Sequence, residues 1–349
     1  MKKHHAGVAL AIAAVAAIVV FVAYRWRTSG FNWRHFLATI RGTDPRWLGV
    51  SVVLILATYV GRALRWEVML RPLTKEARLL PVLSATCIGF AAVVLFGRAG
   101  EPVRPYLISR RTGVAFSGQV AAWVVERILD LLMILVIFGI ALTQVSHSAV
   151  RPSPRIQTIL QAAGGVAGIT GLISLVLLLG LRRFHGKVQD RLLEGLAFLP
   201  KQAVQRVEKF LSAFGEGMSS TRSSFFAVQL LAYTVGEWAV IAAVFYCLFR
   251  AVPATAPLSP ADVVIVLGFV CLGSVVQIPG VGGGTQIVTV LVLTEFYGIG
   301  LEAASGVALL WWIVGFVVIV PVGLILALLE GIKWRTLRHI EPFAAGKSV

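Results

Sequence analysis

Long apolar stretches alternate with short polar and basic connections along this chain of 349 residues. A helix needs about 20 apolar residues to cross a hydrocarbon core about 30 Å thick. Six stretches approach or exceed this length and predict an all-α, polytopic membrane protein with about six spanning helices. They are Ala6–Ala23, Trp47–Trp66, Ser117–Gln144, Ile156–Leu181, Ser224–Phe249 and Glu302–Leu329.

Two further apolar stretches are too short to span and are interrupted in the middle. The first, Pro81–Phe96, breaks at Gly97–Pro102 and resumes until Ser109, and the second, Val263–Ile278, breaks at Pro279–Thr285 and resumes until Tyr297. Non-helical backbone at membrane depth is tolerated only where it is buried in protein or lines a cavity. We therefore expect two re-entrant hairpins with broken tips.

The two interrupted stretches predict internal repeats over about 81–143 and 263–329. Three spanning helices separate them, so the second hairpin is expected to enter from the opposite side, as in the inverted repeats of alternating-access transporters. A constant offset of 184 residues aligns four identical pairs: Cys87 with Cys271, Gly89 with Gly273, Gly100 with Gly284 and Leu107 with Leu291.

The composition excludes water-soluble enzyme folds. Hydrophobic residues make up 58% of the chain and charged residues 14%, with a mean hydropathy of +0.85. Soluble domains are typically about 45–50% apolar and about 25% charged. The polar segment 182–222 places leucines at helical spacing among charges, so we expect an amphipathic cytoplasmic segment on the membrane surface.

The net charge of +16 indicates membrane topology and lipid contact, not nucleic acid. Most basic residues lie in short loops beside apolar spans, including Arg62 and Arg65, which we expect in the interface at the end of the second span. With both termini in the cytoplasm, nineteen Lys and Arg residues lie inside and eight outside. The positive-inside rule favours this orientation.

Charged side chains also occur at or beside the first hairpin tip and one to three turns inside the next helix. A charge at membrane depth costs a few kcal/mol, so each needs a partner or a function. Glu126 and Asp130 share one helix face, and Arg127 can reach Asp130. Seven groups are expected to converge on one polar pocket: Arg65, Arg98, Glu101, Arg104, Glu126, Arg127 and Asp130.

This pocket has two compatible interpretations. Salt bridges from Arg98 or Arg104 to Glu126 or Asp130 would fix the hairpin to the following helix. Alternatively, the arginines bind a phosphate-bearing lipid, because a guanidinium offers a fork of donors that matches phosphate oxygens. The carboxylates would then orient the arginines and balance their charge without ligand.

The hairpin tips contain small residues that permit close backbone approach, Gly97 and Gly100 in the first tip. The second tip, with Pro279, Gly280, Gly282, Gly283 and Gly284, is either a flexible turn or a place where backbone N–H groups face an anion. Glu237 and Glu295 are isolated acidic residues in apolar context. Each is a candidate proton-coupling site or a structural hydrogen-bonding group.

The sequence provides no pattern for catalysis, a metal ion or a cofactor. The six histidines lie at the ends or in loops without metal-ligand spacing, and no nucleophile has an identifiable base nearby. We therefore expect a protein that is not an enzyme.

Four segments together resemble the lysylphosphatidylglycerol synthase transmembrane family, also described as flippase-like. They are Arg62-Ala-Leu-Arg-Trp66, Gly97–Leu107, Glu126-Arg127-x-x-Asp130 and Pro279-Gly-Val-Gly-Gly-Gly284. The resemblance implies a bacterial inner-membrane protein that moves or presents lipids. It does not imply aminoacyl transfer, because the soluble domain that performs this reaction in two-part synthases has no counterpart in this chain.

Two functions follow as expectations. The first is a flippase or transporter for a phospholipid or polyprenyl-phosphate lipid, whose headgroup is held by Arg98 and Arg104. The second is an accessory protein that binds such lipids for an envelope glycosyltransferase or another envelope-biosynthesis enzyme without transporting them.

Overall fold

The computed structural model describes most of the helical part of the chain. The described residues are 31–74, 78–147, 162, 164–174, 176, 205, 208–209, 212, 224–274, 277–278 and 282–332. The predicted helix Ala6–Ala23, the tip residues Pro279 and Gly280, and nearly all of the segment 182–222 lie outside these residues, as does much of Ile156–Leu181.

Most of the described residues form helices. In chain order they are α1 (Trp33–Arg41), α2 (Pro45–Leu70), α3 (Leu79–Phe96), α4 (Val103–Thr112), α5 (Phe116–His147), α6 (Gly164–Ser174), α7 (Ser224–Ala251), α8 (Pro260–Gly273), α9 (Gly284–Tyr297), α10 (Leu301–Trp312) and α11 (Ile319–Leu329). A π-helical turn, Ile313–Val317, lies between α10 and α11 and keeps them in one continuous rod.

The predicted fold class, all-α and polytopic, is confirmed. Within the described residues five helical segments are long and apolar enough to cross a membrane. Four agree with predicted spans, and the fifth, Leu79–Gly100, contains the first leg of the interrupted stretch, which is longer than expected because α3 has 18 residues and a four-residue 3-10 turn follows it. The segments are Pro45–Leu70, Leu79–Gly100, Phe116–Val145, Phe225–Ala251 and Leu301–Leu329.

α3, the turn 97–102 and α4 form the first hairpin. Gly97 ends α3 with a φ of 63°, a left-handed value that favours glycine. α4 then runs back along α3, so that Arg111 near its end donates a hydrogen bond to the carbonyl of Pro81 near the start of α3. From the helical rise of 1.5 Å per residue and the 18 residues of α3, the tip lies about 27 Å from the start of α3. Its re-entrant placement in a membrane stays a prediction.

α8 and α9, with the described residues between them, form the second hairpin. The hydroxyl of Tyr297 at the end of α9 donates to the carbonyl of Asp262 at the start of α8, at 3.5 Å. At the tip, β1 (Gln277–Ile278) pairs antiparallel with β2 (Gly282–Gly283). The apolar pattern extends α8 to residue 278, but the helix ends at Gly273, where the backbone of Gly284 approaches too closely for any side chain.

The two hairpins start from opposite ends of the helix bundle. The base of the first hairpin lies beside the end of α11, where Arg111 pairs with Glu330. At the other end, the amide of Asn32 donates to Glu302 at the start of α10 (2.9 Å), which follows shortly after Tyr297 at the end of the second hairpin. This is the arrangement that an inverted repeat requires, while the repeat itself stays a prediction.

Each hairpin packs its first leg on the long helix that follows the other hairpin. α3 lies against α11, where a Cβ on Gly323 would come within 2.7 Å of the Cys87 carbonyl oxygen. α8 lies against α5, where a Cβ on Gly268 would come within 2.7 Å of the Ala141 Cβ. Both crossings therefore depend on a glycine that lets two helix backbones meet.

The larger apolar core surrounds the second hairpin. Phe269 of α8 packs edge-to-face with Phe138 of α5 at 5.3 Å between ring centroids and with Phe296 of α9 at 5.4 Å. Phe245 of α7 lies 4.2 Å from Trp311 of α10. Aromatic packing of this kind fixes the second hairpin through apolar contact.

Candidate functional site

Four helices bring seven charged side chains together beside the first hairpin. We call this group the arginine cluster. α2 and α5 each contribute side chains from one face, because residues three or four positions apart are neighbours on a helix. Its members are Arg62 and Arg65 of α2, Arg104 of α4, Glu126, Arg127 and Asp130 of α5, and Glu237 of α7.

Arg65 is the fully buried centre of the arginine cluster. Its Nη2 donates to Glu126 Oε1 and its Nη1 to Asp130 Oδ1, each at 2.7 Å. Nη1 also donates to the Thr234 hydroxyl of α7 at 3.1 Å. One guanidinium therefore connects three helices, and a buried charge is tolerated when it is paired and hydrogen-bonded in this way.

Arg104 connects the first hairpin to the same carboxylate. Its Nη1 lies 3.0 and 2.9 Å from the two carboxylate oxygens of Glu126, and its Nη2 donates to the Arg62 carbonyl at 3.1 Å. The guanidinium carbon lies 4.0 Å from the centre of the Trp66 ring, a cation–π distance. Trp66 in turn donates its indole N–H to Gln119 at 2.9 Å.

The other two arginines lie nearer the surface. Arg62 pairs with Glu237 at 2.6 Å, and its guanidinium carbon lies 4.7 Å from the centre of the Phe90 ring. Arg127 reaches Glu126 at 3.3 Å and Asp130 at 3.4 Å, but 44% of its side chain stays exposed. The cluster therefore extends from the interior of the bundle to its surface.

Positive charge is in excess in the arginine cluster. Four arginines face three carboxylates when all seven groups are ionised. Among the described residues, several buried polar atoms of the site have no hydrogen-bond partner: the Nε atoms of Arg65 and Arg104, the Gln119 amide nitrogen and both carboxylate oxygens of Glu237, which contact arginines only as ion pairs. The one surplus positive charge favours an anion.

Gly89 of α3 explains how Arg104 reaches this position. A Cβ on Gly89 would lie 2.5 Å from the Cβ of Arg104, far inside van der Waals contact. The glycine therefore lets α4 pack close enough to α3 for the guanidinium to enter the cluster.

The remaining predicted residues of the first tip lie elsewhere on the hairpin. Arg98 is exposed on the 3-10 turn, and Glu101 is half-buried just after it. The tip glycines Gly97 and Gly100 are buried. The two arginines that we expect to hold one phosphate thus differ in environment: the Arg98 side chain is exposed, and the Arg104 side chain is buried.

The second tip differs in composition and environment. Gly284 is buried against Gly273, and the amide of Gly283 donates to the Gln286 side chain at 2.7 Å. Gly282 pairs with Ile278 in the short ladder. Glu295, a candidate coupling residue, is exposed on α9 and does not belong to the arginine cluster, whereas Glu237, the other candidate, does.

The structure corrects the expected position of Arg62 and Arg65. Both were counted among the interfacial basic residues, but Arg65 is fully buried and Arg62 has only 16% of its side chain exposed. The reason is that α2 continues to Leu70, so both arginines lie within the helix and find carboxylates on α5 and α7. Without these two residues, the number of Lys and Arg residues on the inside falls by two, and the positive-inside rule still favours the same orientation.

Sequence reasoning missed three neutral members of this site. Thr234 lies one turn before Glu237 on α7, Trp66 follows Arg65 directly, and Gln119 lies two turns before Glu126 on α5. The i and i+3 or i+7 spacing was the available signal. Within the described residues no group of three or more His, Cys, Asp and Glu side chains is placed to hold a metal ion.

Comparison with known proteins identifies one family and one curated relative. The family described as "Lysylphosphatidylglycerol synthase TM region" matches residues 8–323. Glycosyltransferase AglD of Haloferax volcanii is 26% identical over 164 residues, which make up 47% of this chain and 24% of that protein. The aligned part thus spans about a quarter of the relative. No solved structure matches.

Proposed function

Because the chain belongs to the lysylphosphatidylglycerol synthase transmembrane family, we propose that it is a membrane lipid flippase or transporter for a phosphate-bearing lipid. The lipid would be an anionic phospholipid or a polyprenyl phosphate. The protein would act by binding and moving the lipid, without catalysing a reaction, in the inner membrane of a bacterium with both termini in the cytoplasm.

The observation that supports this proposal is the shared use of Glu126 by Arg65 and Arg104. Arg104 belongs to the first hairpin, whereas Arg65 and Glu126 belong to the surrounding helices. A phosphate group offers two oxygens to a guanidinium, as Glu126 does. It can therefore replace Glu126 on Arg104 while Glu126 stays paired with Arg65, so that ligand exchange needs no unpaired buried charge.

The geometry of the hairpins supports movement of the bound lipid. Transporters with inverted repeats bind substrate near the membrane midplane, at broken helices, and expose the site to each side in turn. Here the two hairpins start from opposite ends of the bundle, and the tip of the first lies about 27 Å from its base. Arg98 on that tip would meet the headgroup first, and Arg104 would hold it.

Reconstitution into liposomes tests the proposal. Fluorescent phospholipids and polyprenyl phosphates are placed in one leaflet, and their exchange is followed by quenching. Arg104→Lys keeps the charge but loses the bidentate fork, so exchange should fall about tenfold or more. Arg71→Lys, which changes an exposed arginine at the end of α2, is the matched control. Exchange by Arg104→Lys at the rate of the parent would contradict the proposal.

Whether the two ends of the bundle lie on opposite sides of the membrane is testable in the same vesicles. Arg71→Cys and Arg250→Cys place one thiol at each end of the bundle, and the three native cysteines are buried. An impermeant maleimide should label the two variants from opposite sides. Labelling of both from one side would exclude the proposed topology.

The curated relative favours a second candidate, an accessory protein that binds a lipid intermediate for an envelope glycosyltransferase. That relative carries the name glycosyltransferase, and the similarity covers 24% of its length. An accessory protein would bind polyprenyl phosphate in detergent with the same dependence on Arg104 but would not exchange it between leaflets. The liposome experiment therefore separates the two functions.

A further inference from the structure

A groove at the base of the first hairpin lies apart from the arginine cluster. It has a volume of about 680 Å³ and opens between the start of α3, the end of α4 and the end of α11. Ligand sites for small molecules typically measure about 300–1,000 Å³. The groove is thus large enough for a lipid headgroup and the first part of an acyl chain.

The groove has an apolar wall. Leu83 of α3 and Leu326 of α11 line it, and Leu80 stands at its rim with 75% of its surface exposed. Leu328 and Leu329 continue the exposed apolar surface at the end of α11. Apolar side chains exposed together at the end of a spanning helix are expected to face lipid tails.

The groove also has a charged rim made by one ion pair. Arg111 of α4 pairs with Glu330, the first residue after α11, and the side chains stay 20% and 34% exposed. Ser84 donates its hydroxyl to the other Glu330 oxygen at 2.5 Å, and Arg111 donates to the Pro81 carbonyl. Both charges are thus held in place and still reach solvent.

We infer that this groove binds a phospholipid whose headgroup carries both a phosphate and a primary ammonium. The phosphate accepts hydrogen bonds from Arg111, and the ammonium donates to Glu330, so the four charges alternate in sign. A purely anionic lipid would also pair with the Arg111 guanidinium, but the Glu330 carboxylate would repel it. The acyl chain lies along Leu83 and Leu326. This inference does not rest on the proposed transport function, since it concerns residues outside the arginine cluster.

Native mass spectrometry of the purified full chain tests the inference. Phosphatidylethanolamine, phosphatidylglycerol and phosphatidylcholine are titrated separately, the last because its quaternary ammonium has no N–H to donate. The titration uses Arg104→Lys, so that the arginine cluster does not hold anionic lipid, and we expect phosphatidylethanolamine to bind this variant about tenfold more tightly than either of the others, since a charge-assisted hydrogen bond contributes on that order. Equal binding of the three lipids would overturn the inference.

Two variants separate the headgroup from the tail. Glu330→Gln should abolish the preference for phosphatidylethanolamine and leave phosphatidylglycerol binding at least as strong, because the repulsion is gone. Leu80→Asn should weaken the binding of all three lipids together, and it leaves buried contacts intact because the Leu80 side chain is exposed. Arg71→Gln, which removes another ion pair at the same end of the bundle, is the control and should change neither.

Soluble phosphoethanolamine distinguishes a lipid site from a site for the headgroup alone. It should displace phosphatidylethanolamine only at concentrations far above that of the lipid, since it lacks the contacts with the leucine wall. Displacement at equal concentration would overturn the lipid assignment. A loss of transport in Arg104→Lys with normal phosphatidylethanolamine binding would leave this groove intact, so the two proposals fail separately.

Discussion

Each hairpin has a glycine on its first leg that lies close to the second leg, but the residues opposite the two glycines differ in chemistry. In the first, Gly89 of α3 lies against Arg104 of α4, and in the second, Gly273 of α8 lies against Val288 of α9. Both pairs are separated by the same offset of 184 residues. The arginine enters a buried network of charges, whereas the valine belongs to an aromatic core. The close glycine contact is therefore a property of the fold, and the residue opposite it determines what each hairpin does.

The two hairpins thus differ in the interactions that hold them in place. The first combines apolar packing with ion pairs, which a charged ligand can replace, and the second is held by apolar contacts, which it cannot replace. We therefore expect substitutions of charged residues to affect the first hairpin alone and glycine substitutions to affect both.

The largest effect is expected from Glu126→Gln. This change removes the carboxylate shared by Arg65 and Arg104 and leaves both guanidinium groups buried with fewer acceptors. Breaking a buried pair in this way costs about 3–5 kcal/mol. The melting temperature in detergent should fall sharply, and Glu295→Gln on the second hairpin, an exposed position, should change it little. Equal melting temperatures would mean that the charges of the first hairpin do not stabilise it.

The next effect concerns the glycines that the hairpins share. Gly89→Ala and Gly273→Ala each place a Cβ within 2.6 Å of the opposite leg, and overpacking of this kind costs about 1–3 kcal/mol. Gly49→Ala has open space around its Cβ and should be neutral or stabilising, since alanine favours helix. Thermal unfolding of the three variants measures this. A neutral Gly273→Ala would break the equivalence of the hairpins.

A smaller difference is expected when lipid is added to Asp130→Asn. Loss of one carboxylate leaves Arg65 incompletely paired, and an anionic lipid bound nearby would restore the balance. Phosphatidylglycerol should therefore raise the melting temperature of Asp130→Asn more than that of the parent. An equal shift in both proteins would favour a purely structural role for this carboxylate.

The smallest effect on stability is expected from Arg98→Lys. Its position on the exposed turn makes folding insensitive to the change, but a lysine cannot hold a phosphate bidentately. Binding of anionic lipid should weaken several-fold while the melting temperature stays the same. Unchanged binding would remove Arg98 from the site and leave Arg104 as the only hairpin arginine in it.

The local geometry of the site was predictable from spacing, and its long-range contacts were predictable only in part. The shared face of Glu126 and Asp130 and the contact from Arg127 to Asp130 follow from helical periodicity, and the structure has them. The inclusion of Arg65 followed from the cost of charge in an apolar span. Its exact partners did not.

The contribution of α7 was not predicted. Glu237 was recognised only as an isolated acid, and Thr234 was not recognised at all, although both contact Arg65. Their i and i+3 spacing marks the face that meets α2, but α7 is otherwise mostly apolar, so its pattern does not identify the partner helix. The helix order of the hairpins was predictable because glycine and proline mark the breaks, whereas the short ladder at the second tip was not, because its strands, Gln277–Ile278 and Gly282–Gly283, are too short to show a strand pattern.

The crossings at Gly323 and Gly268 have a mechanical consequence. At each one, helix backbones touch without a side chain that could yield, so α3 is coupled to α11 and α8 to α5. Each hairpin is thus anchored to the half of the molecule that follows the other hairpin. When one half tilts, the hairpin of the other half that packs on it moves with it. We therefore expect the two ends of the bundle to open alternately and never together.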